Sequence, residues 1–442
     1  MGGEELRRHR KRTGYTQQAL AGELGVTRNA VQNWERGRRV PGLDRCRSLA
    51  NVPKLHVSLV LSWWHGDTLL EEEEESATVA SSSLVYAPDI LRTLKVIEHM
   101  GHLDRRTALK GLAFFGVAAA VGPSRDWLLA TLEEAAAPRS EVSSEQVAAI
   151  RAAFAEFQRI DVVRGGGKSA RQQLVDYFTM VVTPLLRSTK AHSENGRALY
   201  TAAAEQLYLI GWMAFDSGDH GVAQRYLIQA LRLAQEARCP ELGGHVLAGL
   251  ADQATLLGYP EQALQYARAG RAGLTRGNSP ACMADLWVLQ ARACAVMGDT
   301  TMAVRSILES ERNAGLVQLD DEPEWARFIP GAYLSGEYAN TFDDLGQTRD
   351  ADRYATLSAD QAAADGRARR GSLAYATIAR SALAAHDLEA AAAAATKATT
   401  LGSGIESVRS AAALADLRRR MQRHRSSPFV AAYFEADHHA TA

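Results

Sequence analysis

Four short strings, SGDHGVA, LGYPEQA, MGDTTMA and LGQTRDA, recur through the second half of the chain at nearly constant separation. Each reads as the end of a helix at glycine, a few polar turn residues, and an alanine that opens the next helix. The glycines are Gly218, Gly258, Gly298 and Gly346, and the alanines are Ala223, Ala263, Ala303 and Ala351. The alanine steps are 40, 40 and 48, and a further 40 lands on Ala391 in AHDLEAAAAA, with His386 where glycine is expected. Beyond residue 140 there is almost no β-branched alternation, and Ala, Leu, Arg and Glu dominate with helical spacing. A unit of this length cannot bury its apolar face alone, so neighbouring units must stack. The expectation is a solenoid of five helical hairpins at about 197–396, with further helices on either side as caps.

Small residues at fixed places let the two helices of a hairpin approach closely. The pattern resembles the tetratricopeptide repeat, whose small-residue positions Gly211, Ala223 and Ala230 fit. The interval is longer than the ~34 residues usual for that repeat. The array is therefore expected to be tetratricopeptide-like. Such arrays have a concave face lined by the first helix of each hairpin. Stepping by the period places Trp212, Asp252, Arg292, Asn340 and Arg380 at one equivalent concave position, with Tyr208 one turn before Trp212. A ladder of aromatic, acidic, basic and amide groups could grip a peptide or protein ligand. A groove that is merely solvated, or packed on itself, is the competing reading.

The N-terminal segment TQQALAGELGVTRNAVQNWERGRRVP, residues 16–41, carries a different signal. Thr16 caps a helix whose inward stripe is Ala19, Leu20 and Leu24, and Gly25 supplies the turn. Thr27 caps a second helix with Ala30, Val31 and Trp34 inward and Arg28, Asn29, Gln32 and Asn33 outward. Helix, glycine-containing turn and helix is the helix-turn-helix layout. The outward face of the second helix holds a guanidinium that can fork onto guanine and carboxamides that can pair with adenine. Gln17 and Gln18 open the first helix, where amides suit phosphates, and Arg36, Arg38 and Arg39 add backbone attraction. Residues 1–66 hold twelve Lys and Arg against five Asp and Glu, a formal charge of +7, whereas the whole chain balances 50 against 51. A basic module on a neutral chain points to a polyanion as partner of the module alone.

This segment resembles the lambda-repressor-like (Cro/C1, XRE-type) helix-turn-helix domain, a bundle of five short helices. The TQ at the start of helix two, G-V-T in the turn and W-E-R-G after the recognition helix carry the likeness, which covers residues 3–66. It implies DNA contacts at Gln17, Thr27, Arg28, Asn29 and Asn33. It also implies helix four at Leu43 to Leu49 and helix five at roughly Val57 to Trp64, with Pro53 in the turn between them.

Between these parts, Glu71–Glu75 and the Ser/Ala/Thr run that follows read as a solvated linker, 67–88. Connecting helices are expected over 89–140. Within them, LDRRTALKGLAFFGVAAAVGP (103–123) places two arginines before an apolar run, as an export signal would. The run is too short to span a membrane and lies about a hundred residues from Met1. It is expected to be a buried helix capped by Asp104. No N-terminal signal segment and no spanning segment is read, so the expected location is cytoplasmic, at the nucleoid. The four cysteines lack CxxC pairing and read as small buried residues.

RGGGKS (164–169) spells the end of a phosphate loop, but position 162 is Val where that motif needs glycine. An interhelical turn is expected there instead. No nucleophile–base constellation, metal set or cofactor motif is found, so no catalysis, metal or cofactor is expected.

The fold expected is all-α. Residues 1–66 form a five-helix helix-turn-helix domain, 141–425 an α-solenoid of tetratricopeptide-like hairpins, and 426–442 a tail. The order of parts resembles actinomycete regulators that join an XRE-type domain to such repeats. GGGKSARQQLVDYFTMVVTPLL and YLIGWMAFDSGDHGVAQRYLIQALRLAQ are the stretches that carry this likeness. It implies a transcriptional regulator that binds double-stranded DNA as a homodimer through the repeat domain, with ligand sensing there as a further expectation. The alternative is an adaptor whose repeats bind a protein partner and whose DNA module only localises it.

Overall fold

The computed structural model describes residues 6–7, 10–11, 16–23, 26–38, 90–105, 142–274 and 279–441. Among these residues the chain is helical throughout, with no strand. It divides into two compact units, Met1–Ser81 and Ser82–Ala442.

In the first unit, α1 (Gln17–Glu23) and α2 (Arg28–Glu35) pack together, and Leu6 from the preceding helical residues is buried with them. The inward stripe of α1 differs from expectation. Leu20 and Ala21 are buried at 1% exposure each, while Ala19 is exposed. Adjacent positions lie about 100° apart on a helix, so the core takes Ala21, on the other flank of Leu20. Leu24, Gly25, Arg39, the expected helices four and five, and the whole expected linker, 67–88, lie outside the described residues.

The second unit opens with α3 (Ile90–Arg105), which buries Leu94, Val96, Ile97 and Met100. Asp104 lies inside α3 rather than capping a new helix, and residues 106–123 lie outside the described residues. Next come α4 (Ser144–Arg164), α5 (Lys168–Tyr177), a π-helical turn at Phe178–Val182, and α6 (Thr183–Ser188). A capping box starts α4: the Ser143 hydroxyl accepts from the Gln146 amide, and the Gln146 side chain accepts from the Ser143 amide.

Stacked hairpins follow: α7 (Glu194–Asp216) with α8 (His220–Glu236), α9 (Pro240–Leu256) with α10 (Pro260–Gly273), and α11 (Pro280–Val296) with α12 (Thr300–Ala314). Then come α13 (Leu334–Asp344) with α14 (Thr348–Ala364), and α15 (Ala368–Ala384) with α16 (Leu388–Gly402). Their turns explain the repeated strings. Gly218, Gly258, Gly298 and Gly346 have φ of 78°, 80°, 79° and 69°, the left-handed region. In each turn the following amide reaches back five residues, as from Asp219 to the Ala214 carbonyl at 2.9 Å, closing a Schellman-type end. His386 takes the same conformation at φ 61° without being glycine. The alanines that follow, Ala223, Ala263, Ala303, Ala351 and Ala391, are all at 0% exposure, where the paired helices touch.

The 48-residue step comes from a longer connection between α12 and α13. It holds a 3₁₀ turn at Glu324–Ala326 and a kink at Pro330 and Gly331, where Gly331 takes φ of 107°. Buried Glu322 anchors it: its carboxylate accepts from the Ser279 hydroxyl at 2.6 Å and the Ala281 amide at 2.8 Å, at the start of α11.

The array ends with α17 (Val408–Gln422) and α18 (Pro428–Thr441). Residues 426–442 were expected as a tail. They hold α18, whose Val430, Tyr433 and Phe434 are buried against α16 and α17 because the last hairpin would otherwise expose its apolar face.

RGGGKS is a packed turn between α4 and α5. A Cβ on Gly166 would stand 2.2 Å from Met213 Cγ, and one on Gly167 would stand 1.7 Å from a Glu406 carboxylate oxygen. The three glycines let α7 and Glu406 press on the turn, and an acidic side chain fills the space a phosphate would need.

Candidate functional site

In the first unit, Thr27 sits in extended conformation and its hydroxyl accepts from the Ala30 amide at 3.2 Å, starting α2. Val31 and Trp34 anchor that helix inward at 0% and 7% exposure. Arg28 and Asn29 stand exposed on the other side, with Gln32 and Asn33, one turn on, half-buried. The i, i+4 spacing puts the four side chains on one strip of α2, with one guanidinium and three carboxamides along it. Thr27, Gln18, Arg36 and Arg38 are exposed around this strip. Gln17 is half-buried and donates to Glu35 Oε2 at 2.7 Å, and Arg10 donates to the same carboxylate from Nε at 2.5 Å. Glu35, buried between α1 and α2, therefore ties the two helices together. The Gln17 amide donor serves the scaffold as well as any outward contact.

In the second unit, a cavity of about 100 Å³ lies on the inner side of the array. It is walled by α4, α7, α9, α15, α17 and the long connection. One wall is aromatic. Tyr208 and His245 have ring centroids 4.2 Å apart, His245 and Trp325 5.0 Å, and Phe328 and Tyr333 5.6 Å. Arg367, Arg369, Arg370 and Arg409 also line it, and three of them stand over its rings: Arg367 over Phe328, Arg370 over Tyr333 and Arg409 over Trp212. Trp325, Phe328 and Tyr333 all come from the connection that breaks the 40-residue period.

Three of the four arginines are committed to carboxylates. Arg369 donates to Asp216 at 2.9 Å and to Asp161 at 3.0 Å. Arg409 donates to the other Asp216 oxygen at 2.9 Å, which also accepts from the Ser407 hydroxyl at 2.9 Å. Arg370 donates to Glu337 at 3.2 Å. These bonds tie α4 and α7 to α15 and α17, so the array closes on itself around the cavity. Burial alone would raise Asp216, but Arg369 and Arg409 outweigh it and hold its carboxyl below the usual range.

Among the described residues, Arg367 makes no hydrogen bond from its guanidinium, which stands 5.4 Å from the centre of the Phe328 ring. Burial, then the neighbouring Arg370, lowers it to about 10, so it remains a cation at neutral pH. Glu205 is 6% exposed, has no hydrogen-bond partner among the described residues, and burial raises it to about 7. His245 is 3% exposed; its Nδ1 is 3.8 Å from Asp285, too far for a hydrogen bond, and has no hydrogen-bond partner among the described residues.

Of the concave ladder, Tyr208 and Trp212 line this cavity. Asp252, Arg292, Asn340 and Arg380 lie beyond its walls and pair with neighbours. Arg292 donates to Glu337 at 3.0 Å and to Asp252 at 3.4 Å, Asn340 reaches Glu337 at 3.4 Å, and Arg380 donates to Asp343 at 3.0 Å. Burial would raise Glu337, but Arg292 and Arg370 bring it below its usual value. The same period, entered seven residues earlier, selects Glu205, His245, Asp285, Tyr333 and Leu373. Four of these line the cavity, and the fifth, Asp285, accepts from the Tyr333 hydroxyl at 2.8 Å. That register was available in the repeat; only the direction of the rungs was missing.

No described helix is long and apolar enough to cross a membrane. No curated protein and no solved structure matches the chain. Residues 6–60 match the helix-turn-helix family model. The N-terminal unit is thus a helix-turn-helix domain, and it supports a DNA-binding regulator of the XRE kind.

Proposed function

We propose that the chain is a sequence-specific transcriptional regulator that binds its operator as a homodimer, with the helical-repeat unit supplying the dimer contact and sensing a ligand. The observation that carries this reading is the strip of Arg28, Asn29, Gln32 and Asn33 on the outer side of α2, opposite buried Val31 and Trp34. A guanidinium and carboxamides near the start of the second helix match the groups that read guanine and adenine edges in the major groove. Gln18, Arg36 and Arg38 flank the strip and suit phosphates. A single helix-turn-helix module makes few base contacts, so useful affinity calls for two modules on half-sites about one helical turn apart. Such a protein works on the chromosome, in the cytoplasm. Genome-wide mapping of bound sites tests the reading, with sedimentation of the protein alone and on a recovered site. The expected result is one recurring two-fold-related motif, half-sites about 10 base pairs apart, and two chains per site. Uniform coverage of the genome, or one chain per site, would sink it.

A further inference from the structure

We propose that the cavity of the repeat unit is a binding site for a small aromatic acid, a single planar ring bearing one carboxylate. The inference deepens the ligand-sensing part of the reading above and rests on it for its regulatory meaning, though not for the binding itself. Three observations lead to it. The first is size. The cavity, of about 100 Å³, is a local pocket partly open to solvent. An apolar cavity of about 150 Å³ takes up benzene, so one of about 100 Å³ has room for a single ring at most, with its acid group towards the arginines.

The second is the wall. Tyr208, His245 and Trp325 follow one another at centroid separations of 4.2 and 5.0 Å, and Phe328 stands edge-on to His245 at 5.9 Å. Surfaces of this kind favour a flat ring over an aliphatic chain, by offset or edge contacts. The third is the charge pattern. Arg369, Arg370 and Arg409 have hydrogen-bonded carboxylates, while Arg367 has an aromatic face and, among the described residues, no hydrogen-bonded carboxylate; Asp365 and Asp161 act on it only at longer range. A partly desolvated guanidinium of this kind gains most from a planar carboxylate, which accepts two of its N–H groups at once. The other unpaired groups, the Glu205 carboxyl and His245 Nδ1, can bond a ring hydroxyl or ring nitrogen and so tune which acid is held. A peptide lying along the concave face would instead meet Asp252, Arg292 and Arg380 already joined to other side chains.

The test is titration calorimetry of the full chain, without DNA, against benzoate and phenylacetate, each beside its carboxamide. Cyclohexanecarboxylate serves as the non-aromatic acid. At least one aromatic acid is expected to bind tenfold or more tightly than its amide and than cyclohexanecarboxylate. Arg367→Gln should reduce that acid-over-amide preference to about unity while amide binding persists, and Arg367→Lys should keep part of it. Because the Arg367 guanidinium holds no hydrogen bond among the described residues, circular dichroism of Arg367→Gln should match the parent, and Trp325→Leu gives a second route by weakening acid and amide alike. The inference is overturned if no acid outbinds its amide, if cyclohexanecarboxylate binds as well as the aromatic acids, or if Arg367→Gln keeps the preference. Failure here with selective DNA binding intact removes the ligand class alone, whereas acid binding without selective DNA binding removes the regulator reading alone.

Discussion

Glu205→Gln should make the protein more stable at neutral and alkaline pH, by an amount that grows as the pH rises. Glu205 is 6% exposed and without a hydrogen-bond partner among the described residues, and burial raises its pKa from the ordinary 4.5 to about 7. The folded state therefore binds this proton more tightly than the unfolded chain does. Stability from that proton is complete below about pH 4.5 and is lost as the pH rises towards about 7. Each pKa unit corresponds to about 1.4 kcal/mol, so the whole window is worth ~3 kcal/mol. Glutamine has no proton to lose and fills the same space. Between about pH 5.5 and about pH 8, the variant should gain ~2 kcal/mol relative to the parent. Urea unfolding followed by far-UV ellipticity at the two pH values measures this. Comparing parent with variant cancels every other titrating group. A stability difference that stays constant with pH, or that moves against the variant as pH rises, would refute the reasoning that burial governs this carboxyl.

Three further outcomes follow from particular contacts. Gly166→Ala puts a Cβ 2.2 Å from Met213 Cγ and 2.6 Å from Asp161, so calorimetry should show a loss of about 1–3 kcal/mol, as overpacking usually gives. His386→Gly should raise the melting temperature slightly, since a non-glycine residue at φ 61° costs about 1–2 kcal/mol, partly offset by the greater freedom of unfolded glycine. Glu35→Ala removes the acceptor shared by Arg10 and Gln17. Gel shifts should then show selective and non-selective DNA binding falling together, because the α1–α2 scaffold is what fails.

The hairpin phase was legible in the sequence because its cause is local. A left-handed turn residue and a small residue five positions later are needed wherever two helices reverse and touch, and Gly258 with Ala263 shows both. The fifth turn could be placed by counting alone, since His386 occupies the strained conformation without the residue that usually marks it. The outward strip of α2 was legible for a similar reason: the 3.6-residue period and the Thr27 cap fix which side faces in. The cavity was harder to foresee. Periodicity says which positions are equivalent along the array, but not which of several equivalent sets faces the cavity. The set containing Trp212 and the set containing Glu205 differ by two helical turns. The surplus of eight residues before Ala351 was visible as an interval, yet its role as the aromatic wall depends on Glu322 pinning it to α11. Closure of the array depends on bonds between Asp161 or Asp216 and Arg369 or Arg409, spanning 153 to 208 residues. No local pattern announces a pair at that range.

The most direct measurement is the ratio of affinities for a recovered operator and for unrelated DNA of equal length, at one fixed salt concentration, for the parent and for Arg28→Ala with Asn33→Ala. A good bidentate base contact is worth about 1–3 kcal/mol of discrimination. The parent should prefer the operator strongly, and the double variant should lose most of that preference while keeping its affinity for unrelated DNA, because Gln18, Arg36 and Arg38 remain. A double variant that still selects the operator as well as the parent would show that α2 does not read the bases.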